Sequence, residues 1–265
     1  MLLKREPMSF RNILAEKENG VSTITINRQD TKNALNLEAF YELHDAVKGA
    51  DHDDEVKLII LTGTGKEVFC SGRDLKEYAS SLTKPIEDWV LRMSERGLNF
   101  HFIEKIKKPI IAVINGHALG GGCELALACD IRICSDHARF LLPEIDLDAF
   151  PGMGGTWLLP RIVGKSRAMW MILTGEWIDA KEALEMGLVN KVVPYDQLME
   201  EAKILANKIA TKNSWALQMA KLAIRQSVEF ETEGPRALST ALRSLAETLC
   251  EPEARISRFK MRRKI

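Results

Sequence analysis

The sequence contains few cysteines, and their spacing matches no metal site. Its 265 residues include five cysteines with no Cys-x-x-Cys pair and no neighbouring pair of histidines, which argues against zinc. An odd number of cysteines, several of them inside apolar runs, is typical of free, buried thiols in a reducing compartment. The five are Cys70, Cys123, Cys129, Cys134 and Cys250.

Long apolar runs and an excess of charge of either sign are also missing. No run approaches the roughly 18 apolar residues of a membrane-spanning helix, and the N-terminus lacks the apolar stretch of a secretory signal. Lysine plus arginine and aspartate plus glutamate each number 37, whereas a nucleic-acid-binding domain is usually basic. We therefore expect a soluble, cytoplasmic protein that binds neither a membrane nor nucleic acid.

Strand and helix patterns alternate through most of the chain. The β-branched run Val21–Ile26, after a polar turn at residues 18–20, predicts an opening hairpin. Asn36 is expected to cap the helix that follows. Apolar runs at residues 56–61 and 109–114 predict buried parallel strands. This alternation favours an α/β fold with right-handed crossovers.

Beyond about residue 195 the patterns become helical only. Helices are expected at residues 197–210, 216–228 and 236–249, after two shorter ones at 165–173 and 180–186. We therefore divide the chain into a core of residues 1–195 and a helical C-terminal region of residues 196–265.

Three consecutive glycines, Gly120 to Gly122, stand between the second buried strand and a helical run at residues 124–128. Glycines allow backbone N–H groups to approach a ligand, and a helix N-terminus adds partial positive charge. Such a junction could bind a phosphate, a carboxylate or a developing oxyanion. The glycines at residues 63–65 and 164 do not have the spacing of a dinucleotide fingerprint or a P-loop.

A second loop, residues 69–75, follows the first buried strand. If the two buried strands are near neighbours in a parallel sheet, the loops that follow them lie at the same end of that sheet. One backbone N–H group from each loop could then converge on a single oxygen atom, which is the geometry of an oxyanion hole.

Two glutamates complete the candidate site. Glu124 lies in the first turn of the predicted helix, where the helix dipole favours the ionised carboxylate. Glu144 stands among apolar residues, which raise the pKa of a carboxyl group. Carboxylates in two different environments suit paired acid and base roles. Taken alone, each glutamate also fits a helix cap or a solvated surface charge.

Taken in order, these motifs resemble the enoyl-CoA hydratase/isomerase (crotonase) family. The resemblance spans about residues 12 to 264 and implies a crotonase-like spiral of ββα repeats with a C-terminal helical trimerisation region, assembled as a homotrimer or homohexamer. The motifs lie at residues 27–28, 32–35, 69–75, 108–126, 129–132, 140–144, 151–156, 159–161, 173–175 and 187–189, and the central one, residues 108–126, is highly specific.

The resemblance also implies roles for individual residues. The backbone N–H groups of Arg73 and Gly121 match the two oxyanion-hole donors. Glu124 and Glu144 match the glutamates that hold the water and handle the proton on the α-carbon, and Gly152 matches a backbone position near that water. The positions that match substrate and coenzyme A contacts are Lys32, Ala34, Leu35, Ser71, Gly72, Asp74, Leu75, Lys76, Gly120, Phe259 and Arg262.

The activity implied is that of an enoyl-CoA hydratase, a lyase of fatty acid metabolism. It adds water reversibly, in a syn sense, to a 2-enoyl-CoA and needs no cofactor or metal, because coenzyme A is part of the substrate. Another crotonase reaction remains an alternative: dehydration of a specialised substrate, isomerisation or hydrolysis. A CoA-binding or RNA-binding protein on the same scaffold is a further one. The presence of both glutamates favours hydration.

Some residues depart from the family pattern. Arg73 replaces the small residue common at the oxyanion position, and Asp148 stands where a glycine is usual, close to Asp146. Phe150 and Trp157 add bulk beside the expected acyl pocket. These departures either restrict the acyl group to a short, cyclic or polar one or reflect ordinary variation in packing.

Overall fold

The computed structural model describes residues 10–74, 76–77, 99–147 and 149–229. Within these residues the strands are β1 (Ile13–Glu18), β2 (Val21–Ile26), β3 (Leu58–Gly63), β4 (Val68–Cys70), β5 (Ile110–Ile114), β6 (His117–Leu119), β7 (Ile131–Ser135), β8 (Arg139–Leu141), β9 (Ile178–Asp179) and β10 (Lys191–Val193). The helices are α1 (Leu37–His52), α2 (His101–Glu104), α3 (Gly121–Ala128), α4 (Leu158–Val163), α5 (Lys165–Thr174), α6 (Ala180–Glu185), α7 (Tyr195–Ala210) and α8 (Ser214–Glu229). Short 3-10 helices occupy Gln29–Thr31 and Glu144–Leu147.

The main sheet has the strand order β1-β2-β3-β5-β7-β10. β1 and β2 form the predicted antiparallel hairpin, and β3, β5, β7 and β10 then join in parallel. The two predicted buried strands, β3 and β5, are direct neighbours, with Ile59 paired to Ile110. The side chain of Asn36 caps α1 as predicted by accepting a hydrogen bond from the N–H of Ala39 (2.9 Å).

A second, smaller sheet has the order β4-β6-β8-β9 and is not predicted from the sequence. Residues 69–70 lie in the predicted loop and no strand is predicted at residues 117–119, because strands of two or three residues are too short to show a period of two. β4, β6 and β8 are parallel neighbours. The segments that follow them therefore leave the sheet side by side, and these segments carry most of the candidate site.

Helices cover both faces of the main sheet because alternate residues of a strand point to opposite sides. Leu58 and Ile60 of β3 pack with Leu198, Ala202 and Ala206 of α7. On the other face, Ile59 and Leu61 belong to the cluster that contains Phe40, Leu43 and Val47 of α1.

The predicted helices of the C-terminal half are confirmed up to residue 229. α7 and α8 each begin two residues earlier than predicted, and the helix expected at residues 236–249 lies outside the described residues. α7, which follows the proposed boundary at residue 195, packs on the main sheet. The division into two domains remains a prediction.

The cysteines that the structure describes are free thiols. Cys70, Cys123, Cys129 and Cys134 are buried and form no disulfide with one another, and Cys250 lies outside the described residues. None of the helices in the described ranges combines the length and apolar character that a membrane-spanning helix requires.

Two basic residues of α8 contact the C-terminal ends of α2 and α3. The Nζ atom of Lys221 lies 2.6 Å from a carboxylate oxygen of Asp130, just after α3, and Arg225 contacts the other oxygen at 2.8 Å. Arg225 also donates to the carbonyl of Glu104 at the end of α2. Cations at helix C-termini are favourable because the exposed carbonyls carry partial negative charge.

Candidate active site

The loop after β4 lies directly against the first turn of α3. Gly72 has φ +84°, and a Cβ atom built on it would lie 2.8 Å from the backbone nitrogen of Gly121. A Cβ built on Gly121 would in turn lie 3.7 Å from the backbone nitrogen of Arg73. The backbone N–H groups of Arg73 and Gly121, the two predicted donors, are therefore close neighbours.

The glycine run makes this approach possible. A Cβ atom on Gly122 would overlap the carbonyl oxygen of Cys70, at the end of β4. Gly120 adopts φ 48° and ψ −121°, a combination essentially restricted to glycine. α3 begins at Gly121, three residues before the predicted helical run, so the N–H of Gly121 belongs to the first turn, whose amides have no partner within the helix.

Residues 32–35 form one side of this loop. The N–H of Leu35 donates to the carbonyl of Gly72 (2.7 Å), and the carbonyl of Leu35 accepts from the N–H of Asp74 (3.0 Å). The N–H of Ser71 donates to the carbonyl of Lys32 (3.2 Å). The structure thus brings two predicted coenzyme A segments together beside the paired N–H groups, with Ala34 and Leu35 buried and Lys32 exposed.

The carboxylate of Asp74 is engaged within the protein. It forms an ion pair with Arg28 (3.3 Å) and accepts a hydrogen bond from the N–H of Lys76 (3.1 Å), as expected for a local cap. Lys76 itself is exposed. Four residues singled out from the sequence, Leu75, Asp148, Phe259 and Arg262, lie outside the described residues.

Glu124 is fixed inside the protein by backbone hydrogen bonds. Only 2% of it is exposed, and its Oε1 atom accepts from the N–H groups of Met153 (2.7 Å) and Gly155 (2.9 Å). Burial raises the pKa of Glu124, and the N–H groups of residues 153–155 oppose that shift. The helix dipole favours ionisation of Glu124, as its position in the sequence predicts, but burial outweighs the favourable interactions and the net shift of its pKa is upward.

Glu144 has the raised pKa that its sequence neighbours predict. It begins the 3-10 helix after β8, beside Gly120, where an added Cβ would lie 2.9 Å from Glu144 Oε1. Burial raises the pKa of Glu144 to about 7, and the charge of Glu124 contributes to the same shift. Its Oε2 atom is buried and accepts no hydrogen bond from the residues that the structure describes.

The two glutamates thus differ in their hydrogen-bond donors. Backbone N–H groups stabilise the carboxylate of Glu124, whereas Glu144 has no such support at Oε2. Burial raises the pKa of Glu144 to about 7, whereas for Glu124 the backbone donors oppose the upward shift that burial causes. A carboxylate held by backbone N–H groups, a second carboxyl group with a raised pKa and two neighbouring backbone N–H groups can together bind a carbonyl oxygen, activate water and deliver a proton.

The donors to Glu124 were not recognised from the sequence. They come from the glycine-rich segment 151–155, one and three positions after Gly152, which is itself exposed. The density of glycine there was visible, but its partner lies about thirty positions away in the chain. A contact between such distant segments has no signal in local periodicity.

The two bulky residues noted in the sequence have different environments. Trp157 stacks on His101 of α2 with ring centroids 4.9 Å apart, and its Nε1 atom donates to Glu104 at 3.4 Å. Phe150 is 68% exposed. α2 therefore supports Trp157, two residues after Gly155.

The fold and the candidate site together define an α/β protein in which two neighbouring backbone N–H groups lie near two glutamate carboxyl groups. Comparison with known proteins agrees, since the family model described as enoyl-CoA hydratase/isomerase matches residues 16–264. This chain belongs to the enoyl-CoA hydratase/isomerase family, and the predicted crotonase-like fold is confirmed.

Relatives and solved structures cover most of the chain. It is 42% identical over 226 residues to the short-chain-enoyl-CoA hydratase of Clostridium acetobutylicum, which covers 85% of each protein. It is 39% identical over 232 residues to the crotonyl-CoA hydratase of Syntrophomonas wolfei, covering 88% of this chain and 87% of that one. The crystal structure of an enoyl-CoA hydratase from Bacillus anthracis aligns with a TM-score of 0.88 at 34% identity, covering 95% and 97% of the two chains.

Proposed function

We propose that this protein is an enoyl-CoA hydratase, which adds water reversibly to the C2=C3 double bond of a 2-enoyl-CoA thioester to give a 3-hydroxyacyl-CoA. The observation that carries the proposal is the placement of two unlike glutamates, Glu124 and Glu144, beside the paired N–H groups of Arg73 and Gly121. The names of the relatives in Clostridium and Syntrophomonas support the same reaction.

The thioester carbonyl oxygen accepts hydrogen bonds from the N–H groups of Arg73 and Gly121. These bonds draw electron density from the conjugated double bond and make C3 electrophilic. Glu124 takes a proton from a water molecule as the water oxygen bonds to C3. Negative charge then develops on the thioester oxygen, where the two N–H groups and the N-terminus of α3 stabilise the enolate.

Glu144 completes the addition by giving its proton to C2. The proton balance closes, because Glu124 gains one proton and Glu144 loses one, and a transfer through solvent restores the starting state. Addition of both groups from the side that carries the two carboxyls makes the reaction a syn addition. In the reverse direction, Glu144 removes the proton from C2 and Glu124 protonates the leaving hydroxyl group.

No cofactor beyond the coenzyme A of the substrate takes part in this scheme. The segments around Lys32 and Ser71 support binding of the coenzyme A portion, since they flank the oxyanion hole. Closure of the C-terminal tail over the coenzyme through Phe259 and Arg262 remains a prediction. Assembly into a homotrimer or homohexamer and a cytoplasmic location also remain predictions.

The experiment that tests the function follows crotonyl-CoA by ultraviolet absorbance and product mass with the purified protein. Loss of the conjugated-enone absorbance with a gain of one water is the expected result. Release of free coenzyme A would instead identify a hydrolase. An unchanged spectrum with crotonyl-CoA and with longer, branched and cyclic enoyl-CoAs would overturn the proposal.

The pH dependence of kcat/KM tests the assignment of the acid. We expect kcat/KM to fall as the pH rises above about 7, because the reaction needs the proton of Glu144 and burial raises the pKa of that carboxyl to about 7. Hydration and dehydration use the same singly protonated pair, so both directions should decline together. Initial rates measured in both directions across this range check the prediction, and a profile that stays flat there would contradict it.

A further inference from the structure

Met153 contacts the candidate site in two independent ways. Its backbone N–H donates to Oε1 of Glu124 at 2.7 Å. Its sulfur atom would lie 3.7 Å from a Cβ atom built on Gly121, the same distance that separates that Cβ from the backbone nitrogen of Arg73. The thioether of Met153 therefore lies next to Gly121, as does the loop that contains Gly72 and Arg73.

In the proposed reaction the substrate lies next to this side chain. In the proposed reaction the thioester carbon lies at the N–H groups of Arg73 and Gly121, and the next two carbons lie at the glutamates. Met153 reaches both places, one with its side chain and the other with its backbone. A group attached to the reacting carbons would therefore lie close to the Met153 side chain.

The Met153 side chain is suited to filling space beside the reacting carbons. It is half-buried and packs against the main hydrophobic core, so it has neighbours that support it. Its backbone, in contrast, is held by the hydrogen bond to Glu124. A substitution can thus change the volume of the pocket without removing the N–H donor that positions the catalytic carboxylate.

We infer that Met153 is a specificity-determining residue that restricts the enzyme to short, unbranched 2-enoyl thioesters. This inference rests on the proposed hydratase function. The selection acts through excluded volume beside C2 and C3, which a four-carbon acyl group tolerates. A longer chain or a 2-methyl branch must displace the thioether.

The test compares wild type with Met153→Ala and Met153→Val on crotonyl-CoA, 2-decenoyl-CoA and 2-methylcrotonyl-CoA. For Met153→Ala we expect the kcat/KM ratio of decenoyl to crotonyl substrate to rise by about 10-fold or more, since one or two methylene groups in a pocket typically change discrimination by about 10- to 200-fold. The ratio for the methyl-branched substrate should rise in the same way. The smaller change in Met153→Val should give an intermediate shift.

A matched control is Met199→Ala. Met199 is also half-buried, but it lies on α7 and packs against the cluster on the opposite face of the main sheet. This variant should leave the ratios of the three substrates unchanged. If it shifts them as much as Met153→Ala does, the effect is one of general loosening, and the inference is wrong.

The outcomes separate the inference from the function beneath it. One possible result is that both Met153 variants hydrate crotonyl-CoA and keep the wild-type kcat/KM ratios between substrates. That result would overturn the specificity role of Met153 and leave the hydratase function intact. Failure of the wild type to hydrate any of the three substrates would overturn both. Should Met153→Ala not fold, the Met153→Val ratios decide: an upward shift supports the inference, and unchanged ratios refute it.

Discussion

Replacing Glu144 by glutamine is expected to lower kcat for crotonyl-CoA hydration by about 10²- to 10⁴-fold, the usual contribution of a positioned acid or base. Glutamine has nearly the shape of glutamate but cannot deliver a proton to C2. Burial keeps Glu144 protonated up to about pH 7, and this proton is the one lost in the variant. Steady-state rates with crotonyl-CoA measure the effect.

The loss of activity should not come from loss of structure. The pKa of Glu144 is higher in the folded protein than in the unfolded chain. The free energy of unfolding therefore falls as the pH rises from the ordinary pKa of a glutamate to about 7, because the buried carboxyl group must then ionise. Glutamine stays neutral throughout. Glu144→Gln should therefore unfold at the same temperature as wild type at low pH and at an equal or higher one above pH 7.

Asp146→Asn provides a matched control for Glu144→Gln. Asp146 lies on the same 3-10 helix, two residues further on, and is exposed. Asp146→Asn makes the same change from a carboxyl group to an amide and should retain wild-type kcat. A Glu144→Gln protein that folds and keeps full activity would contradict the two-carboxylate mechanism.

Replacing Gly72 by alanine is expected to lower kcat by about 10²- to 10³-fold, the typical effect of losing one oxyanion-hole donor. The added Cβ would lie 2.8 Å from the nitrogen of Gly121 and 2.9 Å from the carbonyl oxygen of Leu119, both backbone atoms that cannot turn aside. The loop after β4 must then move away from α3, which separates the N–H groups of Arg73 and Gly121.

Gly65→Ala separates this effect from backbone strain. Gly65 has φ +80°, close to the +84° of Gly72, but its added Cβ would meet mainly the end of the Gln29 side chain, which can rotate. Both variants should lose about 1–3 kcal/mol of stability from the unfavourable φ. Only Gly72→Ala should lose kcat, and equal activity in the two folded variants would argue against the proposed hole.

The strands β1, β2, β3 and β5 of the main sheet could be predicted from the sequence because each has five or six residues and forms either a hairpin or an apolar run, whereas the three-residue strand β10 was not predicted. β3 and β5 read as buried runs, and β1 and β2 flank a polar turn. The second sheet could not be predicted in this way. Its strands contain two or three residues each and depend on neighbours that are distant in sequence, such as Ala118 paired with Phe140.

Part of the candidate site could likewise be predicted from the sequence, and part depends on tertiary packing. The family motifs, taken in sequence order, identified Glu124, Glu144 and the backbone N–H groups of Arg73 and Gly121. The structure brings these groups close together. The support of Glu124 by the N–H groups of residues 153 and 155 depends on tertiary packing. The balance between burial and hydrogen bonding that sets the pKa of Glu124 likewise requires coordinates, because the two effects oppose each other.

The most direct measurement of the proposed reaction is the fate of labelled oxygen when crotonyl-CoA is incubated with the protein in heavy-oxygen water. A hydratase that uses the oxyanion hole and both glutamates should place the label on the hydroxyl group at C3, with the thioester intact and Glu144→Gln slowing the incorporation. Label found in a released carboxylate, or isomerisation with no uptake of label, would contradict this account.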